Sequence, residues 1–190
     1  MKIKCIENRV ICLPEEIIRN YSTSYSEFSI LKGGEYIVYG MTVYLGYIWY
    51  YVCDEDYSYY PIWNPSPLFE VVDGRLSRYW TYSYKEGEYA VLRPRWAFLE
   101  WTSDPDYYDR LTDGEEREVE IFKTFKELMD LEFPDSSITE VAQIGDDEWL
   151  ICPSCVDAWQ CTNVKNALVK CPKCQKILNN PRFKNEWPHF

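Results

Sequence analysis

Residues 152–174, CPSCVDAWQCTNVKNALVKCPKC, decide how the C-terminal part of this chain folds. The stretch begins and ends with a CxxC pair, Cys152 with Cys155 and Cys171 with Cys174. A CxxC turn directs two thiolates at one point, and the 15 residues between the pairs fall within the spacing typical of a tetrahedral zinc site. The four cysteines therefore predict one Zn²⁺ ion in a closed Cys₄ site, which is structural because no coordination position is left for a substrate.

The CPSC and CPKC runs resemble the knuckles of zinc ribbons, and the resemblance covers about the last 40 residues. It implies that the four cysteines are the ligands and that the proline inside each run fixes the backbone of its turn. Zinc ribbons often have glycine directly after the second cysteine of a knuckle, whereas this chain has Val156 and Gln175. This departure affects the expected turn geometry more than the ligand set.

Other interpretations of the cysteines stay open at this point. Cys161 or His189, the single histidine, is a possible replacement for one ligand. A CxxC pair also lowers thiol pKa values in redox proteins. We favour structural zinc, because two pairs occur at ribbon spacing and because about 40 residues bury too little surface to fold without a metal.

An uncharged stretch upstream, residues 36–53, reads YIVYGMTVYLGYIWYYVC. Its 18 residues reach the lower limit for a membrane helix. Its six tyrosines, two glycines and many β-branched residues are instead typical of buried strands broken by turns. We therefore expect strands here and no membrane association.

The stretch from residue 28 to about residue 101 has a β pattern throughout. It predicts five to seven strands in a twisted sheet or small barrel. Asp73-Gly74, between LFEVV and RLSRYW, is typical of a type I′ turn and predicts a β-hairpin.

The pattern changes at residues 115–133, EEREVEIFKTFKELMDLEF, where apolar residues recur every three or four positions. This segment predicts an amphipathic helix packed on the sheet. The expected fold class is therefore α+β: a β-rich domain over residues 1–147, followed by a zinc ribbon over residues 148–190.

The chain of 190 residues has a net charge of −11, divided as −15 over residues 1–150 and +4 over residues 151–190. An acidic domain attracts basic partners, although acidity also serves solubility alone. The first residues, MKIKCIENRV, lack the apolar segment of a secretory signal, so we expect a cytoplasmic protein with reduced cysteines.

Catalytic motifs are not evident in the sequence. The single histidine, His189, is the penultimate residue, where fraying is normal, so we expect no Ser–His–Asp or Cys–His arrangement. The chain has neither a Gly-rich phosphate loop nor an HExxH motif. We expect a protein without enzymatic activity. An enzyme that uses carboxylates in a cleft stays open as the least favoured interpretation.

Tyrosine and tryptophan, 17 and 8 residues, are abundant and favour binding surfaces. The run DPDYYD at residues 104–109 combines tyrosines with acids and predicts an exposed interaction site for a basic protein. Its candidate residues are Asp104, Asp106, Tyr107, Tyr108 and Asp109.

In composition, the acidic, aromatic-rich first 147 residues are similar to bacterial toxin-immunity proteins, which bind and block a toxin. The leading hypothesis is therefore a protein-binding module of that kind. The alternative is a zinc-ribbon adaptor that binds nucleic acid or acts in transcription. In that case the contacts to phosphate would come from the ribbon alone, through Lys165, Lys170, Lys173, Lys176, Arg182 and Lys184.

Overall fold

A computed structural model describes residues 1–20, 26–57, 59–84, 96–146 and 148–184. The chain divides into two compact units, an N-terminal unit, Met1–Met129, and a C-terminal unit, Asp130–Phe190. The fold class is α+β, as the sequence predicts.

Twelve strands and four α-helices lie in the described ranges. The strands are β1 (Lys2–Cys5), β2 (Glu35–Tyr44), β3 (Tyr47–Val52), β4 (Ile62–Pro65), β5 (Phe69–Asp73), β6 (Thr81–Tyr82), β7 (Trp96–Ala97), β8 (Gln143–Ile144), β9 (Trp149–Ile151), β10 (Ala158–Gln160), β11 (Leu168–Lys170) and β12 (Ile177–Asn179). The helices are α1 (Glu15–Ile18), α2 (Leu99–Ser103), α3 (Tyr107–Thr112) and α4 (Glu116–Asp130).

The N-terminal unit is built on a seven-stranded antiparallel sheet with the order β4-β3-β2-β1-β5. The ten-residue β2 is long enough to pair with β1 through its first residues and with β7 at Met41, while β3 lies along its other side. Strand β6 pairs with β7 and extends this side of the sheet. The result is a sheet of seven strands, the upper end of the predicted range.

The uncharged stretch at residues 36–53 forms most of β2 and β3, which confirms the prediction of strands. Leu45 and Gly46 connect the two strands with φ angles of 52° and 79°, and Tyr44 pairs with Tyr47. Two central residues with positive φ match the twist of a two-residue hairpin. Within the described part of the chain, no helix has the length and apolar character needed to cross a membrane.

The predicted hairpin at Asp73-Gly74 is wrong. β5 ends at Asp73 and pairs with β1, and the next strand, β6, pairs with β7. Gly74 is not among the described glycines with positive φ. The Asp73 carboxylate instead accepts hydrogen bonds from the backbone N–H and the guanidinium of Arg75, so this Asp-Gly pair ends a strand without reversing the chain into a partner.

Two apolar clusters fill the N-terminal unit, one containing Val38 and Tyr50 and the other containing Tyr39 and Tyr51. Alternate residues of β2 and β3 enter different clusters, as expected when side chains alternate between the faces of a sheet. Helix α4 joins the second cluster through Phe122, whose ring meets that of Tyr39 edge-on at 5.5 Å. The prediction of an amphipathic helix packed on the sheet is thereby confirmed.

The C-terminal unit contains a three-stranded antiparallel sheet, β10-β9-β8, and a two-stranded hairpin, β11-β12. It begins at Asp130, earlier than the predicted boundary at residue 148. The backbone N–H of Leu168 donates to the carbonyl of Leu131, and the N–H of Ala142 donates to the carbonyl of Asn179. These hydrogen bonds attach residues 131–142 to the β11-β12 hairpin, which explains the earlier boundary.

Candidate metal centre

The first CxxC turn lies between β9 and β10, which form an antiparallel hairpin. Its base is closed by two hydrogen bonds, from the N–H of Cys152 to the carbonyl of Asp157 and from the N–H of Val156 to the carbonyl of Cys152, each 2.9 Å. The chain therefore reverses within six residues, and this tight loop brings Cys152 and Cys155 together.

The second CxxC turn repeats this arrangement between β11 and β12. The N–H of Cys171 donates to the carbonyl of Lys176, and the N–H of Gln175 donates to the carbonyl of Cys171, again at 2.9 Å. Equal hydrogen bonds at equal positions show that the two CPxC sequences encode the same local structure.

Val156 and Gln175, the residues that replace the glycines of typical knuckles, both adopt the left-handed conformation, with φ angles of 58° and 62°. The turn geometry is therefore kept in spite of the substitutions. The Gln175 side chain hydrogen-bonds the carbonyl of Pro172 at 2.7 Å, within its own turn. Val156 is 78 % exposed, and a β-branched residue at positive φ is strained.

The four cysteine sulfurs lie within 4.8 Å of one another, as the sequence predicts. Two pairs of sulfurs from different turns are close together: Cys152 and Cys174 are 3.7 Å apart, and Cys155 and Cys171 are 3.6 Å apart. A tetrahedron of sulfurs around a metal at about 2.3 Å has edges of about 3.8 Å. None of the eight cysteines, all of which are described, forms a disulfide. The four residues could thus hold a metal ion.

The backbone around the sulfurs favours negative charge at one of them. Burial raises the pKa of Cys152, but the backbone N–H groups of Cys155 and Ser154 hydrogen-bond its sulfur and bring this pKa down to about 7. The backbone N–H of Asp157 lowers the pKa of Cys155, but burial and the neighbouring sulfurs outweigh it and raise this pKa to about 12. Four sulfurs this close cannot all be thiolates unless a cation compensates their charge.

A polar network outside the sulfurs connects the two turns. Lys176 Nζ, next to the second turn, donates to Glu140 Oε1 at 2.5 Å and to Ser154 Oγ of the first turn at 2.8 Å. The hydrogen bond lowers the pKa of Glu140 and raises that of Lys176. Sequence reasoning did not find this network, because Glu140 lies 36 residues before its partner and belongs to no motif.

The other candidate ligands have different outcomes. Cys161 is buried in the apolar cluster of the C-terminal unit, where its thiol hydrogen-bonds the carbonyl of Asn163 at 3.8 Å. It is not part of the four-cysteine group. His189 lies outside the described residues.

Comparison of the chain with models of protein families, with curated proteins and with solved structures finds no match.

The predicted interaction run at residues 104–109 is only partly exposed. Tyr107 is 2 % exposed and its hydroxyl donates to the carbonyl of Glu118 at 3.0 Å. Tyr108 is half-buried, stacks on Trp101 with ring centroids 5.4 Å apart, and donates its hydroxyl to the carbonyl of Pro61. The expected exposure of both tyrosines is wrong, because helix α3 turns them into the core.

The acids of the same run face different surroundings. Asp104 is half-buried and forms an ion pair with Arg110. Asp106 and Asp109 are exposed, and neither forms a salt bridge with a described residue. Of the five predicted residues, these two aspartates remain candidates for contact with a partner.

Sequence reasoning also missed a buried carboxylate in the N-terminal unit. Glu118 is 2 % exposed and accepts a hydrogen bond from Arg110 Nε at 3.0 Å, with Arg117 Nη1 at 3.4 Å. Its position on the polar-looking first turn of α4 gave no signal of burial. Arg110 of α3 and Arg117 of α4 compensate the charge of this carboxylate, and removing either partner would leave it less compensated in a buried position.

Proposed function

We propose that the C-terminal unit binds one Zn²⁺ ion through Cys152, Cys155, Cys171 and Cys174. The observation that carries this proposal is the spacing of the sulfurs, 3.6 and 3.7 Å between the two turns, which fits the edge of a zinc tetrathiolate. Thiolates prefer Zn²⁺ over harder cations such as Mg²⁺ and Ca²⁺.

The ion has a structural role in this proposal. Four protein ligands complete a tetrahedral zinc site, so no position remains for a reacting water. The cluster of buried residues in this unit is small: Ala142, Leu150, Cys152, Cys161, Val169, Cys171 and Leu178. Two of its members are ligands, and metal binding therefore supplies stability that the apolar residues alone do not.

The protein as a whole is proposed to be a protein-binding module without enzymatic activity, and its partner is a basic protein. The net charge of −11 supports this, because it speeds encounter with a cationic partner. Exposed Asp106 and Asp109 add acidic groups that are not used by ion pairs with described residues. The finer proposal, an immunity-type protein that blocks a basic toxin in the cytoplasm, rests on the similarity of composition.

A nucleic-acid-binding adaptor is the alternative, supported by exposed Lys165, Lys173 and Lys184. The charge of the C-terminal unit weighs against it, because residues 130–190 contain nine acidic and six basic residues. Nucleic-acid binding through lysines would decline steeply as salt is raised.

Three measurements test these proposals. Elemental analysis of protein purified under reducing conditions should give one zinc per chain, and protein without metal would contradict the metal centre. Co-expression with the product of a neighbouring gene that encodes a basic protein should yield a stable complex. If zinc-loaded protein instead binds single-stranded DNA, and neutralising Lys165 and Lys173 abolishes this binding, the adaptor is correct.

A further inference from the structure

Charge in the C-terminal unit is divided along the chain. Residues 130–164 contain eight acidic residues and no lysine or arginine, whereas residues 165–190 contain six basic residues and one acidic residue. The three-stranded sheet β8–β10 lies in the acidic half, and the β11-β12 hairpin lies in the basic half. All the charged residues of the segment that forms this sheet are therefore acidic.

Only one face of this sheet contributes to the core. Leu150 pairs with Ile144 and Trp159; Leu150 is fully buried in the apolar cluster of this unit and Trp159 packs against that cluster, whereas Ile144 at the edge of the same face is 60 % exposed. Alternate residues along a strand point to the opposite face, and residues paired across strands share a face. The opposite face, here called the outer face, consists of Gln143, Trp149, Ile151, Ala158 and Gln160.

The outer face presents an apolar strip between two amides. Trp149 is 47 % exposed, Ala158 is exposed and Ile151 is half-buried. Gln143 and Gln160, both exposed, lie across from Ile151 and Trp149. A half-exposed tryptophan is unusual for a surface that contacts only water, whereas tryptophan is enriched in binding sites.

A carboxylate lies at the edge of the outer face. The Glu148 carboxylate accepts a hydrogen bond of 2.7 Å from the side chain of Gln160, the residue paired with Trp149. Asp146 belongs to the tight turn that precedes β9, where its backbone carbonyl accepts a hydrogen bond of 3.0 Å from the N–H of Trp149. Asp146 and Glu148 are exposed, and neither forms a salt bridge with a residue that the structure describes.

We propose that the outer face binds an extended, lysine- or arginine-containing peptide segment of a partner protein. This inference rests on the proposed function and names the surface that carries it. The indole of Trp149 contacts the aliphatic stem and the cation of a basic side chain, and Glu148 and Asp146 pair with its charge. Gln143 and Gln160 supply donors and acceptors for the peptide backbone.

The charges select this occupant over two others. Two copies of the chain that met through their outer faces would bring Glu148 and Asp146 of both copies together, and like charges across an interface oppose association. A nucleic acid would place phosphates beside the same carboxylates, with no lysine or arginine in residues 130–164 to compensate.

The test uses the full chain loaded with zinc and three fluorescein-labelled probes: an alternating lysine–leucine peptide, its glutamate–leucine counterpart and oligo(dT). Fluorescence anisotropy should show binding of the basic peptide only. Trp149→Ala, which leaves the net charge unchanged, should weaken this binding about tenfold, and Glu148→Gln about threefold. Ile177→Ala removes a 40 % exposed apolar residue from the basic hairpin and serves as the control, which should bind like the original protein.

Zinc content, measured on every variant, separates the possible failures. If zinc stays at one per chain but Trp149→Ala and Glu148→Gln bind the basic peptide unchanged, the outer face is wrong. If the double variant Asp106→Asn, Asp109→Asn then loses binding of the basic peptide, the proposed basic partner is supported and its binding site lies in the N-terminal unit. Oligo(dT) binding that depends on Trp149, or a dimer that Trp149→Ala dissociates, would also overturn the inference in favour of those occupants.

Discussion

Replacement of Val156 by glycine should tighten the metal centre. The residue has a φ of 58°, and a β-branched side chain in this conformation costs about 2 kcal/mol. Glycine removes that cost but loses about 1 kcal/mol of chain entropy. Because Val156 is 78 % exposed, the burial that is lost amounts to only about 0.4 kcal/mol. The folded C-terminal unit should therefore gain about 0.6 kcal/mol of stability.

Ala158→Gly is the matched control, because Ala158 is exposed and lies two residues further on, in β10. There glycine relieves no strain and should cost about 1 kcal/mol. The two variants should therefore differ by about 1.5 kcal/mol, roughly tenfold in zinc affinity, since metal binding and folding of this unit are coupled. Competition with a chelator at fixed pH measures the difference. Equal affinities of the two variants would refute the assignment of strain to Val156.

Three further predictions concern the two units separately. Cys171→Ser should abolish zinc binding and remove hydrogen-exchange protection from residues 130–184 while the N-terminal unit stays protected; protection that persists would contradict a metal-dependent unit. Arg110→Met should lower the free energy of unfolding by about 2–3 kcal/mol, because buried Glu118 then keeps only Arg117 as an ion-pair partner. Adding Glu118→Gln to this variant should recover about half of the lost free energy, since the buried charge is removed. Urea titrations measure both effects. Zinc affinity should fall about tenfold or more per unit of decreasing pH between about 8 and 6, because zinc must displace the protons of its thiol ligands. Cys155 is protonated over this whole range, and Cys152, with a pKa of about 7, becomes protonated within it. A flat profile in chelator competition would exclude thiolate ligation.

The features that the sequence predicted correctly are encoded locally. Each CxxC turn is closed by hydrogen bonds within six residues, so spacing alone was enough to place the sulfurs. Helix α4 is 15 residues long, and its apolar period is visible over four turns. The strands of residues 36–53 follow from a long run of tyrosine and β-branched residues, which fit a sheet buried on both faces.

The incorrect predictions depend on partners far away in the sequence. Asp73-Gly74 has the composition of a hairpin turn, but β5 finds its partner in β1, nearly 70 residues earlier. Helix α3 is only six residues long, too short for a period to show that Tyr107 is buried. A turn was expected within residues 36–53, but its position at Leu45-Gly46 was not predicted, because leucine rarely adopts positive φ.

The attachment of residues 131–142 to the second hairpin changes what an excised ribbon must contain. The carbonyls of Leu131 and Glu140 accept hydrogen bonds from Leu168 and Asn179, and Glu140 also holds Lys176. A fragment cut at residue 148 would expose the backbone of β12 and leave it open to pairing with other chains. An excised fragment should therefore start at residue 130, where the compact unit begins, nineteen positions before β9, the first strand that flanks a cysteine turn.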